Sequence, residues 1–214
     1  MKCESVEIQL IAKNPVEMLP VVESFYSIQG EGYHQGKAAY FIRLAGCDVG
    51  CHWCDVKESW DESSHPVLSV NQLIDDFINH NPRIVIVTGG EPTLHNLTYL
   101  CNRIRQKSIG LHLETSGTNT LTGQWDWICF SPKKFKKPLG EYYIRADELK
   151  VIVYNESDLE WAESHAARVN PECKLYLQPE WSRESKVKSM IIEYIKTNPK
   201  WGISLQIHKY LNVP

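Results

Sequence analysis

The sequence of 214 residues lacks any apolar run near the ~18 residues that a membrane-spanning helix needs, which predicts that no segment enters a membrane. Its first fifteen residues include acidic side chains and no long apolar stretch, so we do not expect a secretory signal peptide. An excess of positive charge is also lacking, because 23 Lys and Arg stand against 26 Asp and Glu. This balance gives no reason to expect nucleic acid as a partner. We expect a cytoplasmic protein.

Internal repeats, low-complexity tracts and breaks in composition are likewise absent, which predicts a single domain over residues 1–214. Short β-branched runs such as RIVIVTGG (83–90) alternate with amphipathic helical stretches, which indicates an α/β fold with mostly parallel strands. A closed eight-fold barrel typically needs ~250 residues. The interval from Thr115 to Trp127 is also too short for a crossover helix. We therefore expect an incomplete, shortened (β/α) barrel, with a doubly wound open sheet as the alternative.

The same patterns predict the individual elements. Ser69 and Gln72 form a capping-box pattern at the start of a helix. Helices are predicted at residues 70–81, 96–108, 158–169 and 185–197. Strands are predicted at residues 38–46, 83–90, 111–115, 127–130, 149–153, 175–178 and 203–207.

Polar residues and a cysteine follow the predicted C-terminal ends of six strands. In barrels and open α/β sheets, this edge carries the functional site. We therefore expect one site, formed by these residues: Cys47, Thr88, Gly89, Gly90, Thr115, Ser116, Ser131, Pro132, Lys133, Gln178, Gln206 and His208.

Three of the seven cysteines lie close together in the stretch CDVGCHWCD (47–55). In a reducing cytosol this clustering favours metal chemistry over a disulfide framework. Structural zinc normally takes four ligands. Three thiolates on a four-iron cluster leave one iron open to a small molecule. A non-enzymatic domain with structural zinc or a passive cluster stays as an alternative, and we expect the scattered cysteines to be buried or incidental: Cys3, Cys101, Cys129 and Cys173.

A basic run, KKFKK (133–137), is the one local concentration of positive charge. It could contact phosphate. Blocks of like charge are more often solvated, so we expect a solvated loop.

The CxxxCxxC spacing, with Trp53 before the last cysteine, marks radical S-adenosylmethionine enzymes, and TGGEP (88–92) resembles their glycine-rich strip. Further motifs lie in order along nearly the whole chain: FYSIQGEG (25–32), FIRLAGC (41–47), ETSGT (114–118), SPK (131–133) and QIHKYLNVP (206–214). Together they resemble the 7-carboxy-7-deazaguanine synthase family. This resemblance implies an incomplete barrel of the radical S-adenosylmethionine type.

The resemblance also implies a reaction. A 4Fe–4S cluster reduces bound S-adenosylmethionine, and the resulting 5′-deoxyadenosyl radical takes a hydrogen from 6-carboxy-5,6,7,8-tetrahydropterin. The ring contracts and ammonia leaves, which gives 7-carboxy-7-deazaguanine for queuosine and other deazapurines. A flavodoxin or ferredoxin as electron donor and a homodimer are further implications. The alternative within the superfamily is a glycyl-radical activase, which would bind a large protein and would not need the IQGEG and Arg43 set.

Site residues follow from the matched motifs. The cluster ligands implied are Cys47, Cys51 and Cys54. The implied contacts to S-adenosylmethionine are Trp53, Cys54, Asp55, Gly90, Glu91, Ser116, Ser131, Pro132, Lys133 and Gln178. The implied contacts to the substrate are Ile28, Gln29, Gly30, Glu31, Arg43, Thr88 and Pro214.

Two of these substrate contacts have a direct chemical reason. Arg43 suits the substrate carboxylate, because its guanidinium can make paired charge-assisted hydrogen bonds. The terminal carboxylate of Pro214 can accept hydrogen bonds from an aminopyrimidine edge. We expect His208 to have a structural role.

The chain departs from the family pattern at Val56. Many members have Thr or Ser here, whose hydroxyl binds a Mg²⁺ that also contacts the substrate. Valine offers no oxygen to such an ion. Either Mg²⁺ is not used or it is held without this ligand. Our hypothesis is that the ammonium of Lys57 replaces the divalent ion, and an exposed lysine is the alternative.

Overall fold

The computed structural model describes residues 17–214, so Cys3 and the stretch that we compared with a signal peptide lie outside the described residues. The strands within this range are β1 (Met18–Ile28), β2 (Ala38–Leu44), β3 (Val67–Ser69), β4 (Ile84–Gly89), β5 (Gly110–Thr115), β6 (Trp127–Phe130), β7 (Glu148–Val153), β8 (Lys174–Pro179) and β9 (Trp201–Ile203). The helices are α1 (Val70–Ile78), α2 (Thr98–Arg105), α3 (Glu141–Arg145), α4 (Ser157–Ala166), α5 (Glu184–Thr197) and α6 (Ile207–Leu211). None of these helices combines the length and the apolar character that crossing a membrane would require.

The strands form one sheet in the order β3-β1-β2-β4-β5-β6-β7-β8-β9. Strand β2 pairs in parallel with β4, and each strand from β4 to β8 pairs in parallel with the next one. Strand β1 is antiparallel to both of its neighbours, β2 and β3. Among the described residues, β3 and β9 are the two edges and do not pair with each other, so the barrel is open. Along the parallel strands, β2 and β4 to β9, the order in the sheet follows the chain in one direction, which rules out the doubly wound alternative. The predicted incomplete barrel is confirmed.

Alternation along the parallel strands separates two faces of the sheet. On β4, Val85 and Val87 belong to the large apolar core that includes side chains of α1, α2 and α5. Ile86, between them, belongs to a small second cluster with Phe41 and Ala39 on β2. The concave face of the sheet therefore has a thin apolar layer, and the next residues of that face along each strand are polar.

Most sequence predictions of elements are confirmed within a few residues. Helix α1 has the predicted capping box: the amide of Gln72 donates to the hydroxyl of Ser69 at 3.2 Å, and the amide of Ser69 donates to the Gln72 side chain at 2.9 Å. As predicted, the connection from β5 to β6 contains no helix.

Other predictions are wrong or incomplete. The strand expected at residues 203–207 ends at Ile203, and Ile207 begins α6. Strand β1 was not predicted, because its register shifts between Val21 and Glu23 and interrupts the alternation of its side chains. Strand β3 and helices α3 and α6 were also missed, since each has five residues or fewer and carries too few periods to be read.

The capping box allows a direct test. We expect Ser69→Ala to lower the free energy of unfolding by about 1 kcal/mol, because the amide of Gln72 loses its partner at the start of α1. Urea unfolding of the purified protein measures this change. The matched control is Ser189→Ala, which removes an exposed hydroxyl inside α5 and should leave stability nearly unchanged. Equal stability of the two variants would contradict the role of the cap.

Candidate active site

A cavity of about 450 Å³ lies at the C-terminal edge of the parallel strands. The concave face of five strands supplies polar side chains to its wall, one from each strand: Arg43, Thr88, Glu114, Lys150 and Gln178. Arg43 and Thr88 are paired in register on β2 and β4, and the hydroxyl of Thr88 donates to Glu114 on β5 at 3.1 Å. The fold therefore places polar groups side by side on β2, β4 and β5 and again on β7 and β8, with β6 between the two sets.

The cavity brings together all but two of the residues that the sequence assigned to the site. Those that line it are Ile28, Gln29, Gly30, Glu31, Arg43, Cys47, Cys51, Trp53, Cys54, Asp55, Thr88, Gly90, Glu91, Ser116, Ser131, Lys133, Gln178 and Pro214. The two outside its wall are Pro132 and Lys57. Pro132 is buried between two lining residues.

Lys57 does not reach the cavity. It lies in a 3-10 turn, its side chain is exposed, and its Nζ is 6.0 Å from the centre of the Trp60 ring. The cationic side chains that do line the cavity are Arg43, Lys133, Lys150 and Lys209.

The three clustered thiols lie on one side of the cavity, on the loop that follows β2. Burial raises the pKa of Cys47, and Glu91 and Cys54 raise it further. Burial also raises the pKa of Cys51 to about 11; Lys133 opposes this, whereas Cys54 and Cys47 add to it. The thiols are close enough to disfavour one another's thiolates, so a cationic group between them would be needed to hold all three ionised.

The donor set fits a cluster better than one ion. Within residues 17–214, no three His, Cys, Asp or Glu side chains are grouped to hold a single metal ion. His52, the residue between the last two cysteines, is exposed, and its ring packs on Phe135 at 5.3 Å between centroids. A polynuclear iron–sulfur cluster takes one thiolate on each of several irons and so fits three spaced thiols without a fourth ligand.

The glycine strip contacts the cysteine loop. The amide of Gly90 donates to the carbonyl of Leu44 at 2.9 Å, and that of Glu91 donates to the carbonyl of Gly46 at 2.8 Å. A Cβ on Gly90 would lie 2.2 Å from the Gly46 oxygen, and Gly89 has φ +141. Only glycine fits here, because any side chain would collide with the backbone that leads into Cys47.

Glu91 is buried, and its two carboxylate oxygens are surrounded by donors. One oxygen accepts from the amide of Thr93 at 3.1 Å and from the hydroxyls of Thr93 and Thr115 at 2.6 Å each. The other accepts from the amide of Ser116 at 2.8 Å and from its hydroxyl. Glu91 therefore ties the loop after β4 to the loop after β5, as a positioning residue.

Glu114 holds two residues that were assigned to the substrate. Its carboxylate accepts from the amide nitrogen of Gln29 at 2.8 Å and from the hydroxyl of Thr88 at 3.1 Å. The side-chain oxygen of Gln29 accepts in turn from the amide of Glu31 at 2.9 Å. Both ends of the Gln29 amide are thus engaged within the protein, and the carboxylate keeps free acceptor positions.

A buried ion pair joins Glu31 to Lys150, and Gln206 also donates to Glu31 at 2.8 Å. Burial tends to raise the pKa of Glu31, but Lys150 and these hydrogen bonds lower it to about 2. Burial tends to lower the pKa of Lys150; Cys129 and Glu31 outweigh it and raise that pKa. The pair is therefore charged when no ligand is bound.

Lys133 is the cation of the cavity wall without a carboxylate partner among the described residues. Its ammonium donates to the carbonyl and the hydroxyl of Ser131, at 2.5 and 2.7 Å. Burial lowers the pKa of Lys133, opposed by Cys51. A half-buried ammonium in this setting would gain from an anionic ligand.

The C-terminal segment closes one side of the cavity. The amide of Ile207 donates to the carbonyl of Gly30 at 3.0 Å, and the ammonium of Lys209 contacts the Asp55 carboxylate at 2.6 Å. The hydroxyl of Ser27 donates to the carbonyl oxygen of Pro214 at 2.9 Å. His208 also lines the cavity, and its ring lies so close to Gly30 that a Cβ there would collide with it.

Several lining residues were missed from the sequence: Glu114, Lys150, Glu180, Trp181 and Lys209. Glu114 stands in the quoted ETSGT motif, so a signal for it existed. Lys150 sits inside a predicted strand, and nothing in the local sequence marks which face of the sheet it occupies.

Comparison with known proteins decides the family. A family model for the radical SAM superfamily matches residues 41–129. A 7-carboxy-7-deazaguanine synthase from Flavobacterium psychrophilum is 51% identical over 97% of this chain and 98% of its own length. The chain belongs to the 7-carboxy-7-deazaguanine synthase family. A synthase from Synechocystis is 47% identical over 91% of this chain and 93% of its own.

The fold agrees with this family. The crystal structure of QueE from Escherichia coli superposes with a TM-score of 0.79 at 30% identity, over 88% of this chain and 94% of that chain. An incomplete barrel of the radical S-adenosylmethionine type is therefore confirmed. Membership of the superfamily implies a 4Fe–4S cluster and S-adenosylmethionine as cofactors. Membership of the superfamily excludes the alternative of a domain with structural zinc. The relatives named as synthases exclude the alternative of a glycyl-radical activase.

Glu91 gives a prediction for this site. We expect Glu91→Gln to lower the free energy of unfolding by about 1–3 kcal/mol, because an amide would turn one N–H₂ group toward buried donors of Thr93 or Ser116. Urea unfolding measures the loss, with Glu172→Gln, the same change at an exposed residue, as the control. A stability equal to that of the control would show that Glu91 does not hold the loops.

Proposed function

We propose that this chain is a radical S-adenosylmethionine enzyme that converts 6-carboxy-5,6,7,8-tetrahydropterin to 7-carboxy-7-deazaguanine, with ring contraction and release of ammonia. The whole chain would be one such domain, a carbon–nitrogen lyase of queuosine and 7-deazapurine biosynthesis. The observation that carries the proposal is the cavity in which three thiols meet the polar side chains from Arg43 to Gln178. A cytoplasmic location is supported by the need to keep these thiols reduced.

The thiols of Cys47, Cys51 and Cys54 would hold the 4Fe–4S cluster. When bound, the cluster and S-adenosylmethionine supply the one-electron chemistry that removes a hydrogen atom from the substrate. The half-buried Lys133 is the partner for the carboxylate of S-adenosylmethionine. The other residues that position this cofactor lie on the same side of the cavity, with Pro132 just behind the wall: Trp53, Asp55, Gly90, Glu91, Ser116, Ser131, Pro132 and Gln178.

The substrate occupies the side of the cavity formed by β1, β2 and the C-terminal segment. Arg43 is oriented by Glu23, whose carboxylate accepts from Arg43 Nε at 2.7 Å, and its two terminal nitrogens bind the substrate carboxylate. The backbone of Ile28–Gly30 donates and accepts hydrogen bonds at the pterin edge. The carboxylates of Glu31, Glu114 and Pro214 accept hydrogen bonds from its N–H groups. Thr88 adds a hydroxyl contact.

Cationic side chains of the cavity wall neutralise the substrate carboxylate in this proposal. Val56 lines the cavity and offers no oxygen for Mg²⁺, and Lys57 lies outside. Arg43 and Lys209 line the same cavity as Val56 and are the candidates that remain. Activity is therefore expected without added Mg²⁺.

The proposed reaction needs a one-electron donor such as a flavodoxin or ferredoxin. A homodimer is the expected assembly, since β3 and β9 leave unpaired backbone groups at the edges of the described sheet.

An anaerobic assay tests the proposed function. Protein reconstituted with iron and sulfide is mixed with dithionite, S-adenosylmethionine and the tetrahydropterin, with and without a Mg²⁺ chelator, and products are followed by mass spectrometry. We expect 5′-deoxyadenosine and 7-carboxy-7-deazaguanine, and neither from a folded Cys54→Ala variant. 5′-Deoxyadenosine alone would overturn the substrate. Loss of activity in chelator, restored by Mg²⁺, would overturn the account of Val56.

Arg43 carries a second prediction. We expect Arg43→Lys to raise KM for the pterin by about 10- to 100-fold, because lysine cannot make the paired hydrogen bonds of a guanidinium. Steady-state kinetics with dithionite as reductant measure the change. Arg105→Lys is the matched control. Arg105 also makes one 2.7 Å ion pair, but it lies before β5, at the N-terminal ends of the parallel strands and away from the cavity. A KM unchanged in both variants would place the carboxylate elsewhere.

A further inference from the structure

The basic run at residues 133–137 contributes only one residue to the cavity. Only Lys133 lines the cavity, and a bridge between Lys133 and Lys136 folds the run into a tight turn. Lys134 and Phe135 lie at the tip of this turn, and both are exposed. The expectation of a merely solvated loop is therefore incomplete, because the turn has a defined shape and position.

The turn packs on the loop that carries the cysteines. The ring centre of Phe135 lies 5.3 Å from that of His52 and 6.0 Å from that of Trp53. An ion pair between Lys136 and Asp48 anchors the other end of the turn to the same loop. His52 and Trp53 are the two residues between Cys51 and Cys54, so Phe135 is one aromatic contact away from the cluster ligands.

Two lysines of this turn, Lys134 and Lys137, are exposed. Lys134 pairs with Asp158 at 2.5 Å, but the Asp158 side chain is only 7% exposed, whereas that of Lys134 is 41% exposed. Asp158 also accepts from the amides of Tyr154 and Asn155, so its charge is covered by donors. Lys137 is exposed and makes no ion pair with the described residues. We call His52, Lys134, Phe135 and Lys137 the tip patch.

We propose that the tip patch is the docking surface for a small electron-carrier protein with an acidic rim around its redox centre. This inference rests on the proposed function, which needs one electron from outside the chain. Such a carrier loses one electron, the holoenzyme accepts it, and no atom is transferred. Its redox centre must come close to the cysteine loop, and the tip patch is exposed surface in contact with that loop.

The chemistry of the patch suits this partner. Complexes between redox proteins have small interfaces and are transient, and opposite charges steer the two partners together. The chain has a net charge of −3, so a positive surface beside the cysteine loop is a local exception that selects where an acidic carrier can approach. The exposed ring of Phe135, 42% accessible, supplies an apolar contact at the centre.

A phosphate or RNA site is the other interpretation of these lysines. It would need several uncommitted cations converging on one point. Here Lys133 is turned into the cavity, and Lys134 and Lys136 already contact carboxylates. The arrangement therefore favours a protein with a dispersed acidic rim over a single phosphate.

The test compares two reductants on the reconstituted holoenzyme. We expect Lys137→Glu and Phe135→Ala to keep dithionite-driven turnover but to lower kcat/KM for reduced flavodoxin by about 10-fold, with a shallower salt dependence for Lys137→Glu. The matched controls are Lys107→Glu and Ile144→Ala. Both residues are exposed and lie just before β5 and β7, at the N-terminal ends of the parallel strands. Neither variant should change turnover with dithionite or with flavodoxin.

A binding readout accompanies the kinetics. Carbodiimide cross-linking of holoenzyme to flavodoxin, mapped by mass spectrometry, should join flavodoxin carboxylates to Lys134 or Lys137. Cross-links confined to other lysines, or equal flavodoxin kinetics in Lys137→Glu and Lys107→Glu, would overturn the proposal. So would binding of a single-stranded RNA that Lys137→Glu abolishes while flavodoxin kinetics stay unchanged. Failure of dithionite-driven turnover in the wild type would instead refute the proposed reaction, and the cross-links would still test docking.

Discussion

Alternation of side chains along parallel strands is the constraint on which the site depends. Every second residue of β2, β4 and β5 packs into the core against the helices, so the residues between them must face the concave side. Near the C-terminal ends of these strands they are Arg43, Thr88 and Glu114. A shift of one strand by one residue would bury these polar groups among apolar side chains, so the core fixes the register and with it the site.

The charged side chains of the cavity wall need hydrogen-bond or ion-pair partners within the protein. Those partners determine which side chains are left to bind a ligand. Glu91 is satisfied by hydroxyls and amides, and Glu31 by Lys150 and Gln206. Glu91 therefore shapes the cavity but has little left to offer a ligand, whereas Glu31 has one contact on each oxygen and keeps acceptor positions. Among residues 17–214, Lys133 has only the oxygens of Ser131 as acceptors, and Arg43 uses only its Nε, on Glu23. An anionic ligand gains most at these two cations, since binding there completes their interactions instead of competing with existing ones.

The sequence predicts the fold class and the cysteine loop because both depend on local patterns: periodicity, spacing and the glycines that follow strands. It does not predict Lys150 or Lys209, because a lysine in a strand or near a terminus has no local mark of facing a cavity. Lys57 illustrates the converse. It stands beside Val56 in sequence, yet the 3-10 turn that begins at Lys57 directs it toward solvent, where it lies near Trp60. Sequence adjacency to a site thus carries little information where the chain turns.

The cysteine loop lies between the substrate cavity and the outer surface, and ion pairs hold it from both sides. Asp55 contacts Lys209 of the C-terminal helix on the cavity side, and Asp48 contacts Lys136 on the outer side. Exposed pairs of this kind contribute little to stability, about 0–1 kcal/mol. Their effect is on orientation, because each pair fixes one end of a loop that has few backbone hydrogen bonds of its own. The C-terminal segment and the turn at residues 133–136 therefore contact the loop of the three thiols from opposite ends.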